Sequence, residues 1–310
     1  MAKRYWRNRA LLVKPEVTYG VDAVPTGAAN AMLATNVSLE PLLGEDLTRD
    51  LVLPNMGHQG IILDGNYARL SYEIEIAGSG VAGTAPAVGP CLRASGFQEI
   101  VTAAQKVEYK PVSRLFESTT HYFNIDGVNH VLVGTRGTMT FGLTPRQIGR
   151  FVFTMTGLIG TIADVALPVV DVTDFLAPVP VNDANTSVTL FGYAGACEGI
   201  TFDLANEIEP RMLINSESIE QTDRQMTGSA IMEATHLADK NWFQIARSHT
   251  KGILSAQHGT VAGNIVKFDA PAVQIGRPTY GETQRIMNNT LPLMFTPTTA
   301  GNDEILITFQ

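Results

Sequence analysis

Cysteine is scarce: Cys91 and Cys197 are the only two in 310 residues. Two thiols so far apart build no disulfide framework, which excludes a small secreted scaffold and leaves both as small buried hydrophobes. Long apolar runs are missing too. No stretch approaches the ~18 uninterrupted apolar residues of a membrane-spanning helix, and the apolar run at residues 10–13 is too short for a signal-peptide core. The chain therefore reads as one made and kept in a cytoplasm, with no membrane span. Charged residues make up only 17%, with 28 Gly and 16 Pro, a balance that leans toward turn-rich β structure rather than long charged helices.

Signatures of catalysis are also absent. There is no Gly-x-Ser-x-Gly elbow, and neither cysteine stands in a context that lowers its pKa. None of His58, His121, His130, His236, His249 and His258 lies at metal-ligand spacing from another ligand. Gly78-Ser-Gly-Val-Ala-Gly83 follows a strand and fits G-x-G-x-x-G. The Thr84-Ala-Pro-Ala-Val-Gly-Pro90 that comes next cannot open the helix a dinucleotide site requires. The expectation is a protein with no cofactor, no metal and no enzymatic role. An α/β nucleotide-binding enzyme is the alternative from a different class.

Net charge is −8, which argues against a surface built to grip nucleic acid. The charge is unevenly placed. Lys3, Arg4, Arg7, Arg9 and Lys14 precede any acid, and the rest of the chain holds 17 basic and 30 acidic residues, a body of −13. Such a basic arm either reaches a neighbouring copy of the chain or is a frayed, solvated terminus.

Hydrophobic residues at 45% supply a sizeable core, and period-two alternation organises them. Leu70, Tyr72, Ile74 and Ile76 alternate with Arg69, Ser71, Glu73 and Glu75, a strand with one wet and one dry face. Residues 150–156, 189–193, 199–204 and 304–309 read as further strands. Helical signals are few: residues 90–101, opening on Pro90, and 238–248. Residues 164–185, with Pro168, Pro178 and Pro180 and no period, read as a connector. Gly137-Thr-Met-Thr-Phe-Gly-Leu-Thr-Pro-Arg146 is echoed by Gly199-Ile-Thr-Phe-Asp-Leu-Ala-Asn-Glu-Ile-Glu-Pro-Arg211, which reads as an internal duplication.

After the strand at 70–76 the sequence runs Ala77-Gly-Ser-Gly-Val-Ala-Gly-Thr-Ala-Pro-Ala-Val-Gly-Pro-Cys-Leu-Arg-Ala-Ser-Gly-Phe97. This stretch closely resembles the tail tube (major tail) proteins of long-tailed, siphovirus-like bacteriophages, in which a Gly-Ser-Gly-x-x-Gly-x-Ala-Pro loop leads into a short Leu-Arg-Ala-x-Gly-Phe helix. Val107-Glu-Tyr-Lys-Pro-Val-Ser113, Tyr122-Phe-Asn-Ile-Asp-Gly127 and Gly134-Thr-Arg-Gly-Thr-Met-Thr-Phe141 follow in order. The resemblance covers roughly residues 10–168 and is looser beyond, where Gly301-Asn-Asp-Glu-Ile305 also fits.

The resemblance implies a mainly β fold of tandem tail-tube-type β-sandwich or partial-barrel domains with short flanking helices, whose strands join neighbours into a ring-shaped β-barrel. The expected organisation is a basic arm at 1–15, a first domain at 16–168, a Pro-rich connector at 169–186 and a second domain at 187–310. It implies a structural virion protein that self-assembles into stacked rings, the tail tube through which DNA is ejected into the host. Assembly in the host cytoplasm, with tape-measure, tail-terminator and baseplate proteins as partners, goes with it. DNA passes the lumen without specific binding. If the second half is another tube-type domain, homotrimeric rings have pseudo-six-fold symmetry; if it is an external decoration, homohexamers are needed. The Thr-Phe echo favours the trimer. A contractile tail or related secretion machine is the alternative setting. Candidate assembly residues are Lys3, Arg4, Arg7 and Arg9 of the arm, Met56 and His58 of the loop at 53–60 for ring-to-ring contacts, and Phe141 and Phe202 at the inter-domain barrel.

Overall fold

The alternation seen in the sequence becomes a molecule built almost wholly of strands. The computed structural model describes residues 3–310. In chain order the first half supplies β1 (Arg9–Pro15), α1 (Gly27–Asn30), β2 (Ala31–Met32), the long pair β3 (Ala34–Thr48) and β4 (Ile61–Glu75), α2 (Gly89–Ala94), the hairpin of β5 (Phe97–Thr102) and β6 (Lys106–Pro111), β7 (Thr119–Ile125), β8 (Val128–Leu143) and β9 (Arg150–Asp164). The second half supplies β10 (Thr186–Leu190), β11 (Cys197–Asp203), the hairpin of β12 (Asn206–Leu213) and β13 (Ser216–Arg224), and β14 (Thr227–Glu233). After it come α3 (Trp242–Arg247), β15 (Lys251–His258), β16 (Val266–Ile275), the hairpin of β17 (Thr279–Thr283) and β18 (Ile286–Phe295), and β19 (Leu306–Phe309).

Seventeen of these strands form one antiparallel sheet and β12–β13 a separate pair. Among the described residues the sheet does not close into a barrel within one chain. The pairing order of the first half is β1–β7–β8–β9–β4–β3. The second half repeats it as β10–β15–β16–β18–β14–β11, with α2 and α3 at matching places in the order. Two pairings cross between halves: β8 with β11, and β6 with β19. Segments 137–146 and 199–211, which echo each other in sequence, are therefore partners rather than equivalents, with Phe141 opposite Phe202 and Thr140 opposite Asp203.

Residues from both halves fill a single core. Its centre is aromatic: the Phe141 ring stacks on Phe202 at 4.5 Å between centroids and on Phe268 at 4.7 Å, geometries worth about 0.5–1.5 kcal/mol each beyond area burial. β4 buries Leu70, Tyr72 and Ile74 and turns Arg69, Ser71 and Glu73 outward, as alternation dictates.

The helices are shorter than the sequence signals. α2 stops at Ala94, because Gly96 takes a left-handed φ of 84° just past its end; the Phe-Gln-Glu-Ile-Val-Thr that follows is strand β5. α3 starts only at Trp242, where Asn241 caps it by accepting from Gln244 N–H at 2.9 Å. Residues 165–185 hold no strand beyond a single bridge of Pro180 to Ile148, and Val181 among them is buried. Seven residues of the expected arm, 9–15, are β1, a strand that buries Leu11, Leu12 and Val13 between β2 and β7.

Candidate functional site

Buried titratable groups in this molecule are sealed rather than poised. Tyr72 Oη lies 3.2 Å from Cys91 Sγ and 3.0 Å from His121 Nε2, all three fully buried. Burial pushes the Cys91 thiol up to about 12 and the His121 imidazole down to about 3, so both stay neutral and inert at pH 7. Among the described residues no group of three His, Cys, Asp or Glu side chains is placed to hold a metal. Among the same residues no helix is long and apolar enough to cross a membrane.

The glycine-rich loop packs backbone on backbone. Gly78 N–H donates to Asn264 Oδ1 at 2.7 Å and Gly80 N–H to the Gly263 carbonyl at 2.9 Å. A Cβ at Gly78 would run into that same Gly263 carbonyl. The next helix, α2, begins only at Gly89, so no helix N-terminus faces the loop, and its glycines serve close approach of the two halves.

What the surface does offer is unpaired sheet edges and apolar hairpins. The β3–β4 hairpin projects beyond the sheet and exposes Leu42, Leu47, Val52, Met56, Ile61 and Leu63, an apolar run that marks a protein-binding surface. The β12–β13 hairpin is its counterpart in the second half, but it is docked across the first half. Arg136 donates to Ile219 O at 2.8 Å, Glu220 Oε2 at 2.6 Å and Phe116 O at 3.1 Å. Arg224 donates to Val112 O at 2.8 Å and Glu304 Oε1 at 3.0 Å.

The eight candidate residues fall into three places. Phe141 and Phe202, 3% and 1% exposed, are core residues of the seam joining the two halves of one chain. Met56 and His58 are exposed in the loop between β3 and β4, the Met56 side chain fully so. Lys3, Arg4 and Arg7 are exposed and close to the β7–β8 turn: Arg4 donates to the Ile125 carbonyl, Tyr5 N–H to Asp126, and Asn8 Nδ2 to Asp126 Oδ1 at 3.1 Å. The first of these Asp126 contacts, the Tyr5 N–H, does most to hold that carboxyl below its usual range. Arg9 is half-buried, its guanidinium over Trp6 at 4.7 Å and its Nη1 donating to Val37 O at 3.3 Å on the outer edge of β3. Residues 1–2 of the arm lie outside the described residues.

Reading single segments missed the free edges of β3 and β17. An edge is a property of pairing, which no single segment displays: β3 bonds only to β4 and β17 only to β18.

No curated protein matches this chain. The sequence model of the phage tail tube protein family matches residues 6–297. That span takes in both halves, the connector and the projecting hairpin, and with it the chain belongs to the family of phage tail tube proteins, structural components of the virion tail that oligomerise into tubes.

Proposed function

We propose that the chain assembles head to tail into rings, stacked as the tube of a flexible, non-contractile tail through which DNA is ejected into the host. The observation that carries this reading is the repeated pairing order. Two halves with the same strand sequence are joined edge to edge through β8 and β11 in one sheet, and the outer edges of β3 and β17 stay open. A sheet with internal repetition and open edges, those of β3 and β17 among them, can close by adding copies of itself, and closure removes edges that otherwise aggregate.

On this reading residues 16–168 and 187–310 are two tube-type domains linked by 169–186. Three chains supply six pseudo-equivalent units per ring, since edge pairing within one sheet fits a second wall unit better than an outer decoration. The loop with Met56 and His58 and the segment with Lys3, Arg4 and Arg7 make ring-to-ring contacts. The protein works without catalysis or cofactor, assembled in the host cytoplasm against tape-measure, terminator and baseplate proteins. Its acidic balance suits a wall along which a duplex slides.

The test is negative-stain microscopy of concentrated full-length protein, averaged down the axis. Hollow rings or tubes with a three-fold outline support the reading. Six equal outer lobes around one barrel keep the tube and make the second half a decoration. Globular particles alone, also in the presence of a tail-initiation complex, overturn it.

A further inference from the structure

We infer that β17 of one chain pairs antiparallel with β3 of the next in the register of the β8–β11 seam: Thr279 opposite Glu40, Tyr280 opposite Leu39, Gly281 opposite Ser38 and Glu282 opposite Val37. The inference rests on the ring reading above and names its joint.

The register comes from counting through the sheet. β3 and β11 each carry a bulge near their start, between Thr35 and Ser38 and between Cys197 and Gly199. Aligned on it, Val37-Ser38-Leu39-Glu40 falls on Ile200-Thr201-Phe202-Asp203: apolar, hydroxyl, apolar, acid in both. On the other side, Ile74 opposes Phe151 in the first half as Met232 opposes Asn289 in the second. The residue across from Phe151 on β8 is Phe141, and the one across from Asn289 on β17 is Tyr280. Thr140-Phe141-Gly142 thereby maps onto Thr279-Tyr280-Gly281, with Gly137 and Gly276 each three residues earlier.

The hydrogen-bonding phase agrees. β17 and β18 are joined by Gln284 and Arg285, both with positive φ (54° and 67°), a two-residue loop whose flanking pair bonds to each other. Bonding then alternates, so Tyr280 and Glu282 aim their N–H and C=O at the open edge. In the internal seam Leu204 N–H donates to Met139 O at 3.1 Å, which gives Phe141 and Leu143 the same phase toward β11. Pro41 stands where Leu204 does and has no N–H, so the new seam ends at Glu40. At its other end Arg9, at the Val37 carbonyl, meets Glu282 of the neighbour.

A groove supports the same partner. A cavity of about 510 Å³ beside α3 is lined by Phe243, Ala246, His249, Ile275, Pro278 and Met294. The matching place in the first half, beside Ser95 and Gly137, is filled by Asn206, whose Nδ2 donates to Ser95 O at 2.8 Å and Gly137 O at 3.0 Å. Asn206 is three residues past Asp203; three past Glu40 is Leu43, an apolar side chain that suits the Phe243, Ile275, Pro278 and Met294 part of a groove that Arg247 and Arg277 also line.

Two experiments test the joint. Thr279 and Glu40 form a non-hydrogen-bonded pair in this register, with Cα atoms ~4.5 Å apart, inside disulfide range. Rings of E40C/T279C, oxidised and run on a denaturing gel, are expected to give covalent chain multimers. E40C/E282C, three residues or roughly 10 Å out of register, is expected to give single chains. Assemblies with no multimers from the first variant, or equal multimers from both, overturn the register and leave the tube standing; failure of the wild-type chain to assemble, also in the presence of a tail-initiation complex, overturns both. Independently, Tyr280→Asp is expected to keep the wild-type melting temperature and lose rings, while Tyr280→Phe keeps both. Normal rings from Tyr280→Asp also overturn the joint.

Discussion

Phe141 and Phe202 show how one pair of residues serves folding before assembly. Buried on both sides of the seam, they hold the two halves of a single chain together, so Phe202→Ala is expected to cost about 3–5 kcal/mol in chemical denaturation of the monomer. Separating folding from assembly therefore falls to Tyr280, 62% exposed on an open edge. His121 sets an acid limit. The unfolded chain protonates this residue below ~6.5, whereas burial holds the folded imidazole neutral down to about 3. Between those values the unfolded state binds more protons, so stability is full above the upper value and is lost as pH falls through the window. His121→Gln is expected to flatten the melting temperature against pH between 4 and 6.5; an unchanged slope would assign that acid sensitivity elsewhere. Cys91, with its thiol pushed up to about 12 and no exposed surface, is expected to resist alkylation until the protein unfolds, as mass spectrometry after timed labelling would read.

At the scale of elements, the strands were the legible part. Residues 70–76 and 199–204 alternate strictly enough that the dry face reads directly, and the structure buries it; 150–156 alternates only after an apolar start, where Val152 is exposed between buried Phe151 and Phe153. Helix limits were less legible, because Gly96 ends α2 through its own conformation while apolar spacing runs on into β5. The echo of 137–146 in 199–211 reads as a duplication, but the structure makes these segments partners across the seam. The segments most alike by eye are those that pair, since two strands sharing one dry face need the same alternation. The segments that the inferred register aligns, 140–142 with 279–281 and 37–40 with 200–203, are only three or four residues long, with two identities in the first pair and none in the second, and are matched only through their partners. Hairpins make the corresponding predictions. Arg136→Ala removes the guanidinium that bonds Ile219, Glu220 and Phe116, taking a charged donor from a half-buried acid and from the Phe116 carbonyl and leaving Ile219 O only the Tyr19 hydroxyl at 3.5 Å. A loss of about 1–3 kcal/mol and faster hydrogen exchange confined to 206–224 are expected. Shortening the loop at 50–59 to a two-residue turn is expected to leave melting unchanged and to leave single rings that do not stack; long tubes from that variant would remove the loop from ring-to-ring contact.

For the whole molecule, charge and topology act together. An acidic body of −13 outside the first fourteen residues predicts that assembled tubes retain no duplex DNA at physiological salt in a gel-shift assay; retention that falls steeply with added salt would signal a basic lumen instead. Topology has a further consequence in the order of synthesis. Strand β19 closes the edge of β6, with Ile307 opposite Tyr109 and Phe309 opposite Val107. A ribosome delivers residue 109 long before residue 307, and during that interval β6 presents an unsatisfied edge. The first half thus waits on the end of the second, and a chain stalled before β19 emerges carries an open template for mispairing with its neighbours on the same message.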